Sequence, residues 1–289
     1  MKIALIGCGE VGGAYGRALN GKANLFLCDI VSEGRPGELA RELGLELHSA
    51  PGDWLRDCDI VIGAVPGRES AVAAASVLPF LSQGSVYVDV STGAPDSLRR
   101  SAKEFEAAGR SFVDTAILGA IALTGGKTPV LIAGSDAERA QEVFVLMEAP
   151  AKLLEGGSPG DAVALKLLRS VIIKNLECAA VESFTAAEHL GVRDKLFEAL
   201  GDVDNAPFTD LLESLVKTHI LHSKRRMHEM EEASAQLRSL GFDAAVTGSL
   251  GPRYAATLKA HNNDPPPADS QENLDSALAW LIRAGKANG

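Results

Sequence analysis

Residues whose types and spacing suit chemistry fall in three places in this 289-residue chain. The first is Gly7-Cys8-Gly9-Glu10-Val11-Gly12, which follows the apolar run 1–7 and precedes a helical pattern reaching Leu19. A second apolar run, 24–28, then ends in Asp29. Strand, glycine turn, helix, strand and acid in that order form a dinucleotide-binding fingerprint. Gly7 allows the tight turn, Gly9 lets the backbone approach a pyrophosphate, and Gly12 lets the helix pack close to the sheet. The helix N-terminus at Glu10 and Val11 offers unpaired N–H groups and a positive dipole end. Asp29 can accept hydrogen bonds from both ribose hydroxyls and repels the extra phosphate of NADP. NAD is therefore the expected cofactor. NADP stays open, because Ser32 and Arg35 follow in the same loop.

The second place is the stretch 161–190, which contains neither glycine nor proline. As one helix it spans roughly 45 Å. Val163, Ala164, Leu165, Leu167, Leu168, Val171, Ile172, Ile173 and Leu176 make most of its circumference apolar, so it is expected to be largely buried. Lys166, Ser170, Lys174 and Glu177 fall on one narrow polar stripe, with Arg169 at its border. Such a stripe can line an interdomain cleft, with Lys174 contacting an anionic group. It can equally be a solvated strip holding a Lys174–Glu177 pair.

The third is Asp89-Val90-Ser91-Thr92-Gly93, at the end of an apolar strand. In an open α/β sheet, ligands bind at the carboxyl ends of strands. The ends read here are Gly7, Asp29, Val65-Pro66, Ser91-Thr92 and Leu118-Gly119.

The elements needed to position these groups follow from periodicity. Apolar strands at 45–48, 59–65, 85–90, 111–118, 130–134 and 151–154 alternate with helical segments, which predicts a doubly wound parallel sheet of the Rossmann type. Beyond the turn cluster Gly156-Gly157-Ser158-Pro159-Gly160 the pattern becomes helical throughout, at 161–190, 195–200, 207–240, 244–260 and 273–284. Two domains are expected: a dinucleotide-binding domain over 1–157 and an all-helical substrate and dimerisation domain over 158–289.

Composition narrows the function. With 46% hydrophobic and 23% charged residues the chain reads as globular, and its net charge of −10 argues against nucleic acid and anionic membranes as partners. The four cysteines show no paired spacing, so a reducing compartment is expected. No signal peptide and no membrane-length apolar run is visible, and a cytoplasmic location is the default. His219, His222 and His228 lie close in sequence but lack an HExxH pattern, so no metal site is expected. Trp54 and Trp280 read as packing residues.

Together these features resemble the β-hydroxyacid dehydrogenase family, which includes 3-hydroxyisobutyrate and 6-phosphogluconate dehydrogenases. The family pattern is an N-terminal GxGxxG, a D-x-S-T segment, a D-A-P-V-S-G-G segment and G-x-x-x-K-x-x-x-N on the long helix. The chain matches at Gly7, Gly9 and Gly12, at Asp89, Ser91 and Thr92, at Asp114, and at Lys166. Leu118-Gly119-Ala120 replaces Ser-Gly-Gly, and Ser170 replaces the asparagine. The segments 166–174 and 225–230 resemble a less characterised, phosphogluconate-dehydrogenase-like branch. The resemblance implies a homodimer that transfers a hydride between a nicotinamide and a small hydroxy acid. It implies Lys166 as acid/base and Ser170 as the substrate-orienting group, with the segments at Ser91, Thr92, Gly93, Leu118 and Gly119 holding the substrate carboxylate. An imine reductase shares this architecture, but those relatives generally lack the lysine. A non-catalytic nucleotide-binding regulator would keep the Gly7–Asp29 unit and need no polar stripe.

Overall fold

The computed structural model describes residues 1–286. The chain divides into two compact units, Met1–Ser170 and a second beginning at Val171. The first is an eight-stranded sheet covered by helices. Its strands are β1 (Lys2–Ile6), β2 (Asn24–Cys28), β3 (Leu47–His48), β4 (Ile60–Gly63), β5 (Val86–Asp89), β6 (Ser111–Ile117), β7 (Val130–Ala133) and β8 (Ala151–Leu153), in the order β3-β2-β1-β4-β5-β6-β7-β8. The connecting helices are α1 (Glu10–Leu19), α2 (Arg35–Leu43), α3 (Ser70–Val77), α4 (Pro95–Ala107), α5 (Ile121–Thr124) and α6 (Ala137–Leu146).

The strands read as continuous apolar runs because both faces are buried. Alternate residues serve opposite layers. Ile3, Leu5, Ile60, Ile62, Val86 and Val88 pack with Tyr15 and Leu19 of α1 and Phe144 of α6. Ala4, Ile6, Val61 and Tyr87 pack on the other side with Leu98 and Phe105 of α4. Trp54 is a packing residue there, its ring 4.2 Å from His48 and 6.0 Å from Phe26.

Strands β1 to β6 pair in parallel, but β7 runs antiparallel to β6. The reason lies in the connection. A parallel return needs a crossover, usually a helix long enough to run back along the sheet. Between Ile117 and Val130 there is only α5 and a single 3₁₀ turn. The helix α6 then supplies a genuine crossover, and β8 is parallel to β7.

The long helix α7 (Asp161–His189) begins in the first unit and continues into the second. The second unit also holds α8 (Arg193–Ala199), α9 (Phe208–Ser239), α10 (Ala245–Asn263) and α11 (Leu274–Lys286). Glu182 of α7 accepts from the backbone N–H groups of Val246 and Thr247 at 2.7 and 3.0 Å, satisfying the start of α10. His219 on α9 shares a 2.9 Å hydrogen bond with Thr257 of α10, and burial, aided by Arg253 and Arg226, pushes its pKa down to about 4. It is therefore a neutral inter-helix tie. The indole of Trp280 donates to the Asp264 carbonyl at 2.8 Å and packs on Ile220 and Ala277.

One expectation is corrected. Ala162 and Val163 are buried, but Leu165, Leu167, Leu168, Val171, Ile172 and Leu176 are exposed, Leu168 at 63%. Apolar periodicity shows that a helix face seeks cover; it does not show that the same chain supplies it. Among the described residues no helix is long and apolar enough to cross a membrane, and no group of three or more His, Cys, Asp or Glu is placed to hold a metal. The four cysteines are free thiols, with only Cys178 exposed.

Candidate active site

The three glycines of the turn sit in different surroundings. Gly7 has φ +92°, a left-handed conformation, and an added Cβ would lie 2.5 Å from the Ala64 carbonyl oxygen. At Gly12 a Cβ would lie 1.9 Å from the Gly7 carbonyl oxygen, so only glycine lets α1 come this close to the turn. Gly9 is different: nothing lies within 4 Å of its absent Cβ. The open face sits at the N-cap of α1, which no side chain caps. Free N–H groups, a positive dipole end and an unfilled approach fit a pyrophosphate.

Asp29 has a structural task in the turn. Its Oδ2 accepts from the Cys8 N–H at 2.7 Å and its Oδ1 from the Val31 N–H at 2.9 Å, so it braces the glycine turn from the end of β2. Each oxygen retains a lone pair for a ribose hydroxyl. Burial pushes the adjacent Cys8 thiol up to about 12, with the Asp29 charge adding to the effect, so Cys8 is an inert small residue. A recess of about 370 Å³ opens beside the turn, lined by Gly9, Glu10 and Gly13 and by Arg17 and Arg35. Arg17 is engaged by Glu42 at 2.7 Å. Arg35, at the start of α2, has no ion-pair partner among the described residues.

A second recess, of about 360 Å³, lies across the strand ends, and Glu10 lines both. It gathers Glu10, Val11, Val65, Pro66, Ser91, Thr92, Gly119 and Lys166, all singled out from sequence. It adds Ala64, Gly67, Val90, Ile117 and Ile121, which periodicity alone did not mark. Gly67 had a readable signal, a glycine directly after the Pro66 strand stop. Its absent Cβ would lie 2.1 Å from the Thr92 carbonyl oxygen, so the loops after β4 and β5 touch backbone to backbone.

Lys166 reaches into this recess from α7, and its ammonium donates to Thr92 Oγ1 at 2.6 Å. Burial lowers its pKa, and the carboxylate of Asp114 opposes that shift. Thr92 accepts this bond, so its own hydroxyl proton is free for a ligand. Ser91 has the reverse arrangement. Its Oγ donates to Asp89 Oδ1 at 2.5 Å and its backbone N–H donates to the same oxygen at 2.9 Å. Ser70 satisfies the other Asp89 oxygen at 2.6 Å. Ser91 thus presents lone pairs to the recess, and Thr92 is the donor. Burial raises the Asp89 pKa, which these hydrogen bonds offset in part.

Other sequence candidates sit elsewhere. Gly93 is buried, and an added Cβ would lie 2.6 Å from Leu98 Cδ1, so it is a packing glycine. The Leu118 side chain packs with Ala116, Leu131, Ala133 and Ala162, as an apolar side chain beside a cluster does. Neither lines the recess, and Ser170 does not line it either. Lys174 belongs to the second unit and pairs with Glu177 at 2.6 Å, with both side chains exposed. The solvated reading of that part of the stripe matches this placement.

Residues 2–162 match the NAD binding domain of 6-phosphogluconate dehydrogenase, and residues 187–257 match a domain of unknown function, DUF1932. An uncharacterised 28.5 kDa protein of Methanothermus fervidus is 29% identical over 80% of this chain and 89% of its own length. Human mitochondrial 3-hydroxyisobutyrate dehydrogenase is 25% identical over 54% of this chain, a match spanning 48% of that enzyme. The imine reductase of Myxococcus stipitatus, solved with NADP+, has the same fold, with TM-score 0.71 and 15% identity over 91% of this chain and 95% of that one.

Proposed function

The chain belongs to the β-hydroxyacid dehydrogenase family, and we propose that it is a nicotinamide-dependent oxidoreductase acting on the carbinol or carbonyl carbon of a small hydroxy acid. The observation that carries this reading is the Lys166 ammonium, set 2.6 Å from Thr92 Oγ1 in a recess that shares Glu10 with the glycine turn. A nicotinamide, when bound, takes or supplies the hydride. Every other step falls to side chains of this chain. In oxidation Lys166 Nζ removes the substrate hydroxyl proton; in reduction it returns a proton to the forming alkoxide. An ordinary lysine is a poor base at neutral pH, and burial lowers the Lys166 pKa, which makes it a better one. Thr92 holds the ammonium and donates to a substrate oxygen. Ser91 offers lone pairs to a hydroxyl or an amide N–H.

The Asp29 carboxylate favours NAD, and Arg35, which lines the recess beside the glycine turn, is the cation an NADP phosphate would meet. The exposed face of α7 supports a homodimer. Four free thiols suit a reducing compartment such as the cytoplasm. An imine reductase is the competing enzyme of this fold, and Lys166 favours hydroxy-acid chemistry over it.

The test is a panel of hydroxy acids, sugar acids and aldehydes with both cofactors, followed by nicotinamide absorbance, for the parent and Lys166→Met. The variant should bind NADH as the parent does and lose about 10²- to 10⁴-fold in kcat. An unchanged kcat overturns the assignment.

A further inference from the structure

Asp114 stands in the middle of β6, in register with Asp89 at the carboxyl end of β5, and both are fully buried. The two acids are used differently. Both oxygens of Asp89 are consumed by the serine hydroxyls and the Ser91 N–H described above. Asp114 Oδ2 accepts from the backbone N–H groups of Gly160 at 2.9 Å and Val163 at 3.1 Å, across the start of α7. Its Oδ1 is buried with no hydrogen-bond partner among the described residues. A buried, half-satisfied carboxylate is costly unless a charge answers it. The cation in question is Lys166, three residues beyond Val163 on the helix that Asp114 caps.

We propose that Asp114 is the positioning residue of this site: its Oδ2 fixes the first turn of α7 and so the place of Lys166, and its unpartnered Oδ1 leaves a negative charge for the Lys166 ammonium to answer. The catalytic meaning rests on the function proposed above; the charge coupling does not. The groups facing Asp114 are Asp89 from β5, Lys166 from α7, and the N–H groups of Gly160, Ala162 and Val163. Lys166 is the cation among them. Burial lowers the Lys166 pKa, and the Asp114 charge opposes that shift.

Asparagine is the discriminating substitution. It keeps an oxygen able to accept both α7 N–H groups, and asparagine caps helices about as well as aspartate. It removes only the charge. Titration of parent and Asp114→Asn, both labelled with [ε-13C]lysine, follows each lysine by NMR, with Lys166→Met assigning the signal. The Lys166 midpoint should fall by about one pH unit in Asp114→Asn, while that of Lys174, held by Glu177, stays in place. An unmoved Lys166 midpoint overturns the proposal. Should asparagine not fold, Asp114→Ser, another capping residue without charge, is read in the same way. Lys166→Met retaining full turnover would defeat the proposed reaction yet leave this midpoint shift standing, so the two failures are distinguishable.

Discussion

At the scale of single residues, the side chains of this site are set by which of their hydrogen-bonding atoms are already taken. Lys166 was legible from a lysine repeating with polar neighbours on an otherwise apolar helix. Asp114 was visible only as a matching letter, because its partners Gly160 and Val163 are 46 and 49 residues away and only the fold brings them to it. Ser91 was expected to help hold a carboxylate. Its proton is committed to Asp89, a contact two residues off that depends on the turn after β5. Asp114 also makes a prediction about stability. Burial pushes its pKa from the usual 3.8 up to about 6, only partly offset by the α7 N–H groups. A carboxyl whose pKa is raised by folding prefers its proton in the folded state. Its contribution is therefore fully present below about pH 4 and is lost as pH rises through about 6, a change on the order of 2–3 kcal/mol. Asp114→Asn removes this dependence. Melting temperatures at acid and neutral pH should show the variant gaining on the parent as pH rises; a difference that stays constant or shrinks rejects the buried, ionising Asp114.

At the scale of elements, most strands and helices could be read in advance, because the sheet is covered on both faces and each strand is a continuous apolar run. The direction of β7 was less accessible, since it depends on the length and content of the link after β6 rather than on β7 itself. The face of α7 that lies open was not readable at all. The glycine turn was the most legible element, and it separates structural from ligand-facing roles. Gly12→Ala places a methyl group 1.9 Å from a backbone oxygen that cannot yield without moving the turn. It should cost about 2–3 kcal/mol of stability and weaken NADH binding with it. Gly9→Ala meets no protein atom within 4 Å. It should leave the melting temperature in place and still weaken NADH at least about tenfold, roughly 1.4 kcal/mol, by filling the pyrophosphate approach. Thermal melts paired with fluorescence titration check both. Equal NADH affinity in Gly9→Ala and the parent would remove the pyrophosphate from this turn.

For the molecule as a whole, the decisive surface is the one α7 leaves uncovered. Leu165, Leu168, Ile172 and Leu176 follow helical spacing and are each between 43% and 63% exposed. Scattered apolar residues on a surface are ordinary, but a stripe of large ones along a single helix marks an interface. Burying one such side chain is worth about 1.5–3 kcal/mol, so a few of them met by the same few from a second copy supply a stable contact. A two-fold arrangement is the simplest, because one self-complementary face then covers both stripes. The net charge of −10 on each copy opposes this only weakly, since at physiological salt charges beyond about 8 Å are screened. Light scattering at micromolar concentration should give twice the chain mass. The double substitution Leu168→Glu with Ile172→Glu places two carboxylates in that stripe and should return the mass of one chain with the helical circular dichroism retained. A parent that is monomeric, or a double variant that still pairs, would move the interface away from α7. The exposed leucines would then need a different occupant.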